Sequence, residues 1–331
     1  RPPRSTQGVS SAASDVYKRQ LAHPRSLALS LILASAIAQP AASRKKAAEA
    51  CFVSPSTLSN ALTELEQQIG IQIFERDNKK VIVTALGKAV LEKAQAIKIQ
   101  ADDIQKLGQN QDGELSGPLK IGVIPTIGPY LLPVVLPAIN RDYPKLQLDI
   151  IEDQSDVLVN EVRRGDLDLA ILALPFPLNG LLSFSFWQED FFWLNHIDNI
   201  MAENNEISAS EVEAASMMLL EDGHCLKDHA LLACQLSSGG HHSIRASSLN
   251  TLVQLVAGKM GTTLVPQMAL EQLLQANPLL KEAHLNEPGP HREIALIMRP
   301  SYTGIKNVEQ LKILFEQQLN QHFSIQNSLN D

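Results

Sequence analysis

Apolar residues first recur at regular spacing beyond about position 44, where the pattern predicts two short helices separated by a turn. The first covers residues 44–52 and the second covers residues 56–69. Ser54 and Pro55 are the residue types preferred at an N-cap and at the first helical position, and Gly70 ends the second helix. The apolar positions of this second helix are spaced by 4, 3 and 4 residues and form one buried stripe: Leu58, Leu62, Leu65 and Ile69.

A hairpin and a long helix follow these two helices. Residues 71–74 and 81–84 are predicted strands, joined by a basic turn at residues 76–80. Helical spacing then continues over residues 85–107. The polar, glycine-containing segment 108–118 is the predicted domain boundary.

The rest of the chain alternates between strand and helix patterns, which favours a parallel α/β architecture. A mostly hydrophobic segment at residues 184–194 is left without an assigned element. The predicted strands are short apolar runs: 119–124, 146–151, 167–174, 262–266 and 294–298. The predicted helices have apolar residues at helical spacing: 131–140, 156–164, 248–257, 266–275 and 308–323.

The first part of the chain has the element order of a winged helix-turn-helix, in which the second helix enters the major groove and the wing contacts the DNA backbone. A solvated polar helix on an ordinary helical bundle is the alternative. Cys51, in the first helix, is expected to be a packed residue. The candidate DNA contacts are polar residues of the second helix and basic residues of the turn: Ser56, Thr57, Ser59, Asn60, Thr63, Arg76, Lys79 and Lys80.

Composition and charge differ between two parts of the chain, a head at residues 41–113 and a body at residues 114–331. The 331 residues are enough for two or three domains with cores of their own. The formal net charge of −8 argues against a uniformly basic surface for nucleic acid. Residues 41–113 nevertheless carry a net charge of +1, whereas residues 114–331 carry −13. A DNA-binding head followed by an acidic body is compatible with this division.

Three cysteines are too few for a disulfide scaffold, but two of them, Cys225 and Cys234, lie close together beside His224, Lys227 and His229. The thiolate is the reactive form of cysteine, and neighbouring cations or a helix N-terminus lower the pKa of the thiol. Cys225 has such neighbours and Cys234 lies in an apolar run, which suits a peroxide-attacking Cys225 and a resolving Cys234. Buried structural cysteines, a zinc site of Cys225, His229 and Cys234, and a thiol peroxidase are the alternatives.

Helical geometry would restrict this pair of cysteines. Nine steps along one helix, at about 1.5 Å each, separate the two Cα atoms by roughly 13 Å. A disulfide needs Cα atoms within about 7 Å of each other. Joining the two sulfurs would therefore force a helical segment to unwind, which is the kind of local change that a switch requires.

The sequence AAEACFVSPSTLSNALTELEQQIGIQIFERDNKKVIVTALG, at residues 47–87, resembles the DNA-binding head of LysR-type transcriptional regulators. AGKMGTTLVP, at residues 257–266, is similar to a segment of their effector domain. The resemblance implies a winged helix-turn-helix at 44–84, a linker helix for dimerisation at 85–113, and a two-lobed, periplasmic-binding-like α/β effector domain at 117–331.

The first 43 residues do not fit this resemblance. Residues 27–38 are apolar, follow basic residues and precede small ones, as in a secretory signal peptide, but 12 residues are too short to span a bilayer. The family's first helix belongs at about residues 25–43, and a secreted protein has no use for such a head. Residues 1–43 are therefore predicted to be a frameshifted or artefactual leader, and the chain as written is expected to bind DNA weakly.

Two further segments resemble the peroxide-sensing branch of the same family. They are LEDGHCLKD at residues 220–228, followed by Cys234, and IGVIPTIGPYLLP at residues 121–133. The resemblance implies that hydrogen peroxide oxidises Cys225, which forms a reversible disulfide with Cys234. This change would remodel the effector domain and activate antioxidant genes, with no metal or other cofactor and no enzymatic turnover.

The residues expected around the Cys225 thiol follow from this resemblance, and Ser155 stands where a threonine is usual. Thr126 and Ser155 would hydrogen-bond to peroxide, Arg292 would stabilise the thiolate and the leaving hydroxide, and His224 would position the loop. The positions that match the branch's peroxide-binding and thiolate-supporting residues are Thr126, Ser155, His224, Asp228 and Arg292.

The resemblance also implies partners and a compartment. Promoter DNA and further copies of the chain, as a homodimer or homotetramer, are expected in the cytoplasm, with no membrane association. RNA polymerase and a reductant of the glutaredoxin or thioredoxin type are expected as well. Two alternatives stay open: a LysR-type regulator that binds a small metabolite in the interlobe cleft, and a periplasmic solute-binding protein.

Overall fold

The computed structural model describes residues 48–49, 53–76, 81–107, 115–199, 205–212, 216–236 and 245–330. The chain divides into two compact units, Arg1–Gln105 and Lys106–Asp331. Several features named above lie outside the described part of the chain: the leader at 1–43, Cys51, Lys79, Lys80 and the side chain of Arg76.

The predicted second helix of the head is present as α1 (Pro55–Ile69). Ser54 is its N-cap, and the Ser54 hydroxyl accepts a hydrogen bond from the Thr57 backbone N–H at 3.1 Å. Gly70 ends the helix with a positive φ of 67°, a conformation that glycine adopts without strain. Both helix ends are therefore confirmed.

The apolar stripe of α1 forms the small core of the head. Leu58 and Leu65 are fully buried, and Leu62 and Ile69 are partly buried against them. Ile73 and Phe74 complete this core from the following segment.

The hairpin consists of the antiparallel strands β1 (Phe74–Arg76) and β2 (Val81–Val83). The prediction that the first strand begins at residue 71 is wrong. The backbone N–H groups of Ile73 and Phe74 donate to the Glu66 carboxylate at 2.7 and 3.1 Å. The segment before β1 is therefore held by the Glu66 side chain of α1 rather than by a partner strand.

The long helix α2 (Ala85–Leu107) has the predicted bounds. The Thr84 hydroxyl donates to the Gln72 carbonyl at 2.6 Å and accepts from the Gly87 N–H at 2.9 Å. Gly87 lies directly against the Ile73 carbonyl, so that a Cβ at this position would overlap the carbonyl oxygen. The Thr-x-x-Gly pattern thus joins the start of α2 to the segment before the hairpin.

The second unit is an α/β domain with two sheets. Its strands are β3 (Gly117–Val123), β4 (Leu146–Glu152), β5 (Leu169–Leu174), β6 (Leu182–Glu189), β7 (Phe191–His196), β8 (Glu206–Ile207), β9 (Leu219–Leu220), β10 (Arg245–Ala246), β11 (Thr263–Pro266), β12 (Leu280–Leu285) and β13 (Arg292–Met298). Its helices are α3 (Gly128–Asp142), α4 (Ser155–Arg164), α5 (Cys225–Ala233), α6 (Leu249–Ala257), α7 (Gln267–Ala276) and α8 (Ile305–Asn330).

The first lobe is built on a five-stranded sheet in the order β4-β3-β5-β13-β6, with α3, α4 and α8 among its helices. β3 is parallel to β4 and β5, as the alternation of strands and helices predicts. β13 departs from the parallel arrangement that the alternation favours, because it is antiparallel to both β5 and β6. The chain reaches β13 only after building the second lobe, so no short helical crossover fixes its direction.

The second lobe is built on a four-stranded sheet in the order β11-β7-β12-β8, in which β7 is antiparallel to both neighbours. The short strands β9 and β10 form a parallel pair beside it, and α6 packs against β7 and β11. The unassigned apolar stretch 184–194 belongs to β6 and β7, which meet at Asp190. One apolar run therefore supplies a strand to each lobe.

We expect Gly87→Ala to destabilise the head by about 1–3 kcal/mol, because the added methyl group must displace the Ile73 carbonyl or the start of α2. Chemical denaturation followed by helical circular dichroism measures the loss. Ala89→Ser, at an exposed position of the same helix, is the control and is expected to change stability by less than about 0.5 kcal/mol. Equal stability of the two variants would contradict this account of the Thr-x-x-Gly pattern.

Candidate functional site

The cysteine segment is helical in the structure. Cys225 is the first residue of α5, His224 is the N-cap, and Cys234 is the C-cap. Both thiols are free and buried. Because α5 spans the whole interval, the helical separation of roughly 13 Å between the two Cα atoms applies. A Cys225–Cys234 disulfide is therefore incompatible with this conformation of α5.

A small pocket next to Cys225 lies where three helices begin. The loop before α3, the first turn of α4 and the first turn of α5 all contribute to its wall. The partial positive charge at a helix N-terminus favours negative charge in the pocket. At α3 this is an effect of the helix dipole alone, because the N–H groups of Ile127, Gly128 and Tyr130 are already hydrogen-bonded. The lining residues are Ile124, Pro125, Thr126, Gln154, Ser155, Gly223, His224 and Cys225.

Opposing effects act on the Cys225 thiol. Burial raises the pKa of this thiol above its ordinary value and is the largest influence. The Ser155 hydroxyl, the Arg292 guanidinium and the Ala173 backbone act in the other direction because they favour the thiolate. Ser155 Oγ is itself buried and makes no hydrogen bond to another oxygen or nitrogen of the described residues. The resting thiol is thus neutral, with donors already placed around its sulfur.

Arg292 joins the pocket to the centre of the domain. Its side chain is fully buried at the start of β13. Nη1 donates to Thr126 Oγ1 at 3.3 Å and Nη2 donates to the Thr126 carbonyl at 3.2 Å. Nε donates to Glu189 Oε1 at 2.6 Å in an ion pair with no solvent exposure on either side chain. The Arg292 guanidinium therefore orients the Thr126 loop of the pocket and neutralises the charge of the buried Glu189 carboxylate.

Glu189 is a buried residue next to the site that the sequence analysis did not single out. It is the residue opposite Arg292 in the register of β6 and β13, and its second oxygen accepts from the Met268 N–H at 2.7 Å, at the start of α7. The carboxylate thus links the two lobes. In the sequence it is one of two adjacent acidic residues, Glu189 and Asp190, within a hydrophobic segment, and only the strand register reveals its partner.

Gln154 is a second residue that the sequence analysis missed. It precedes α4 as the N-cap residue, and its side chain lies over Gly223 in the loop before α5. Gly223 has a φ of 99°, and a Cβ there would overlap the Gln154 amide. Glycine at this position therefore permits both the turn and the close approach of the α5 segment to the first lobe.

The structure brings most of the predicted site residues together. Thr126, Ser155, His224 and Cys225 line the pocket, and Arg292 contacts Thr126. His224 is buried, but its side chain makes no capping hydrogen bond to α5.

Asp228 does not line the pocket. Its side chain is exposed on the first turn of α5, and its charge raises the pKa of Cys225 rather than supporting the thiolate. Cys234 lies outside the pocket as well. Burial, with a smaller effect from Glu287, raises the pKa of Cys234 to about 11.

The candidate DNA contacts of α1 lie on its outer side. Ser56, Thr57, Ser59 and Asn60 are exposed, whereas Thr63 is half-buried. The Thr63 hydroxyl donates to the Ser59 carbonyl at 3.1 Å, so it is already used within the helix.

The described residues also show whether a metal site or a membrane-spanning helix is present. No three side chains of the metal-binding types gather in them, so Cys225, His229 and Cys234 do not form the zinc site considered as an alternative. Among the helices of this same part of the chain, none is both long enough and apolar enough to cross a membrane.

Two family models match this chain. The family model described as the LysR substrate binding domain matches residues 112–319. The model described as the bacterial regulatory helix-turn-helix protein, lysR family, matches residues 35–88. The matched regions therefore cover both the head and the two-lobed domain.

Two curated relatives illustrate the range of similar proteins. The HTH-type transcriptional regulator EstR of Acinetobacter baylyi is 37% identical over 260 residues, which are 77% of this chain and 85% of the relative. The hydrogen peroxide-inducible genes activator of Dickeya chrysanthemi is 34% identical over 268 residues, which are 81% of this chain and 88% of the relative.

Solved structures of OxyR proteins share the fold. A full-length OxyR variant from Pseudomonas aeruginosa superposes with a TM-score of 0.72 at 31% identity, covering 87% of this chain and 97% of that one. A hydrogen-peroxide-bound OxyR mutant of Corynebacterium glutamicum gives a TM-score of 0.64 at 32% identity, covering 92% and 95%. The chain therefore belongs to the LysR family of bacterial transcriptional regulators, among relatives that include the OxyR proteins.

Proposed function

We propose that this protein is a hydrogen-peroxide-responsive transcriptional regulator whose signal is the oxidation of Cys225. The observation that carries the proposal is the position of this thiol, in a pocket at three helix N-termini with Ser155, Thr126 and Arg292 beside it. Buried structural cysteines need no such donors. The relatives named as hydrogen peroxide-inducible genes activators and the peroxide-bound OxyR structure support the same assignment.

The first chemical step is the oxidation of Cys225 to a sulfenic acid. The Cys225 thiolate attacks one peroxide oxygen, an S–O bond forms and the O–O bond breaks. The leaving hydroxide takes up the proton released by the thiol, so that water is the second product. In this assignment Thr126 and Ser155 hydrogen-bond to peroxide, and Arg292 stabilises the developing negative charge.

The second step is condensation with Cys234. The Cys234 sulfur attacks the Cys225 sulfur, the S–O bond breaks, and the departing hydroxide leaves as water with the Cys234 proton. Two thiols thus supply the two electrons that reduce one peroxide to two waters. Because the two Cα atoms must approach from roughly 13 Å to within about 7 Å, α5 has to unwind. This rearrangement carries the signal from the pocket to the rest of the effector domain.

The proposal extends to the partners of the protein. α1 and the basic hairpin turn bind promoter DNA, with Arg76, Lys79 and Lys80 on its backbone. On α2 the exposed apolar residues Leu86, Ile97 and Ile104 are 11 and 7 positions apart and share one face, which suits association of two copies. The protein forms homodimers and homotetramers in the cytoplasm and contacts RNA polymerase. A glutaredoxin- or thioredoxin-type protein reduces its disulfide.

A second candidate function is a regulator of this family that responds to a small metabolite in the cleft between the lobes. EstR, a relative at 37% identity, is named as a transcriptional regulator without mention of peroxide, so membership of the family does not by itself fix the signal. A metabolite that shifts the DNA footprint without oxidant would support this candidate.

We expect Cys225→Ser to abolish the change that peroxide causes in the DNA footprint, because the oxidised sulfur is lost. DNase I footprinting with and without one equivalent of peroxide measures this change, at protein concentrations high enough to offset the weak DNA binding expected of this chain. Cys234→Ser is the matched variant, in which Cys225 still forms a sulfenic acid, trapped by dimedone, but no disulfide. A footprint of Cys225→Ser that still responds to peroxide would overturn the proposed function.

The rate of Cys225 oxidation should rise with pH. Because burial raises the pKa of this thiol, the thiolate is scarce at neutral pH. The oxidation rate is therefore expected to keep rising past about pH 8.5, which is the ordinary pKa of a cysteine thiol. Arg292→Met combined with Glu189→Gln removes a cation that favours the thiolate without leaving an unpaired buried carboxylate, so its rate at pH 7 should fall by roughly tenfold for each unit by which the pKa rises. Stopped-flow oxidation measures both effects, with Lys281→Met on β12 as the control for the loss of a cation.

We expect Glu189→Gln to destabilise the effector domain by about 3–5 kcal/mol, because the Arg292 guanidinium loses its buried counter-charge. Urea denaturation measures the loss. Glu293→Gln, at the next position of β13 with its side chain on the other face, should cost less than about 1 kcal/mol. Adding Arg292→Met to Glu189→Gln should recover part of the stability, and a further loss instead would contradict the ion-pair explanation.

A further inference from the structure

His229 is a buried histidine on α5 that has no part in the pocket. It lies one helical turn after Cys225, and only 3% of its surface is exposed. Its Nε2 lies 3.0 Å from the carbonyl oxygen of Pro175, the residue that directly follows β5. The contact therefore joins α5, one turn after its start in the second lobe, to the end of a central strand of the first lobe.

The chemistry of this contact fixes the state of the ring. A carbonyl oxygen only accepts hydrogen bonds, so Nε2 carries the hydrogen and donates it to Pro175. Burial lowers the pKa of His229, which keeps the ring neutral and leaves Nδ1 as an acceptor. This Nδ1 is buried and has no hydrogen-bond partner among the described residues. The Pro175 carbonyl is thus the group that orients the ring.

The end of β5 holds the first turn of α5 at two points. The Ala173 backbone favours the Cys225 thiolate as a hydrogen-bond donor, and the Pro175 carbonyl accepts from His229. Two strand residues span about 6.6 Å, and the four helical steps from Cys225 to His229 span about 6 Å. The strand end and the helical turn therefore match in length, and both contacts are made together.

Oxidation breaks one of these two contacts. The Cys225 sulfur has to leave Ala173 in order to reach Cys234, whereas the hydrogen bond of His229 is untouched by the chemistry. We propose that His229 is a positioning residue, which holds the first turn of α5 against the end of β5 and so limits the rate at which the oxidised helix unwinds to form the disulfide. This inference rests on the proposed function and adds to it a residue that separates oxidation from the conformational response.

A role as a mere space-filling side chain explains the contacts less well. A buried histidine with an unpartnered Nδ1 costs free energy of desolvation that an apolar residue would avoid. An apolar residue at this position could not donate a hydrogen bond to the Pro175 carbonyl, whereas His229 Nε2 does.

The test uses the full chain with His229→Gln and His229→Met. Glutamine and methionine have nearly the same length and volume, but only glutamine supplies an N–H donor for the Pro175 carbonyl. Sulfenic acid formation is measured in a Cys234→Ser background by dimedone trapping. Disulfide formation is measured after one equivalent of peroxide by rapid alkylation and mass spectrometry. The two rates separate the chemistry at Cys225 from the unwinding of α5.

We expect His229→Met to form the sulfenic acid within twofold of the parent rate and the disulfide roughly fivefold to tenfold faster, as the loss of one buried hydrogen bond implies. His229→Gln should stay within twofold of the parent chain in both steps. The inference is overturned if His229→Met forms the disulfide at the parent rate, if glutamine behaves like methionine, or if both steps change equally.

Two further measurements keep the outcomes distinct. If His229→Met does not fold, His229→Leu serves as the donor-free variant, with Leu231→Met on the same helix as the control for packing. Amide hydrogen exchange of α5 in the reduced protein should be faster in the donor-free variant than in His229→Gln, and equal exchange would overturn the inference. A parent chain that forms no Cys225–Cys234 disulfide would instead contradict the proposed function.

Discussion

The buried ion pair between Arg292 and Glu189 is the interaction on which the site depends. Neither charge is stable alone away from water, so each requires the other, and the register of β6 and β13 sets them opposite one another. Through Thr126 the pair fixes the loop before α3, and through Met268 it fixes the start of α7. The pocket beside Cys225 and the contact between the lobes are therefore parts of one arrangement.

Within this arrangement the reactivity of Cys225 is a balance between burial and local donors. Burial excludes water and favours the neutral thiol, whereas three helix N-termini, Ser155 and Arg292 favour negative charge. Such a site protects the thiol at rest and stabilises the thiolate and a leaving hydroxide during reaction. A sensor needs both properties, because a freely ionised surface thiol would react with many oxidants.

A redox switch also needs a conformation that changes when the disulfide forms, and the helix α5 supplies it. Its nine residues keep the Cys225 and Cys234 Cα atoms too far apart for a disulfide, and its first turn is tied to the end of β5. The segment is thus helical while both thiols are reduced, and it cannot remain helical once the Cys225–Cys234 disulfide has formed. Gly223 and Gln154 allow the close seating of this helix against the first lobe.

The sequence by itself determined the features that depend on near neighbours. The ends of α1, its apolar stripe and the bounds of α2 follow from local patterns and short motifs. Glu189, the division of one apolar run at Asp190 and the antiparallel β13 followed only from the tertiary structure. The physical reason is that strand register and buried charge pairing join residues about a hundred positions apart, and no local pattern records which distant residue will lie opposite.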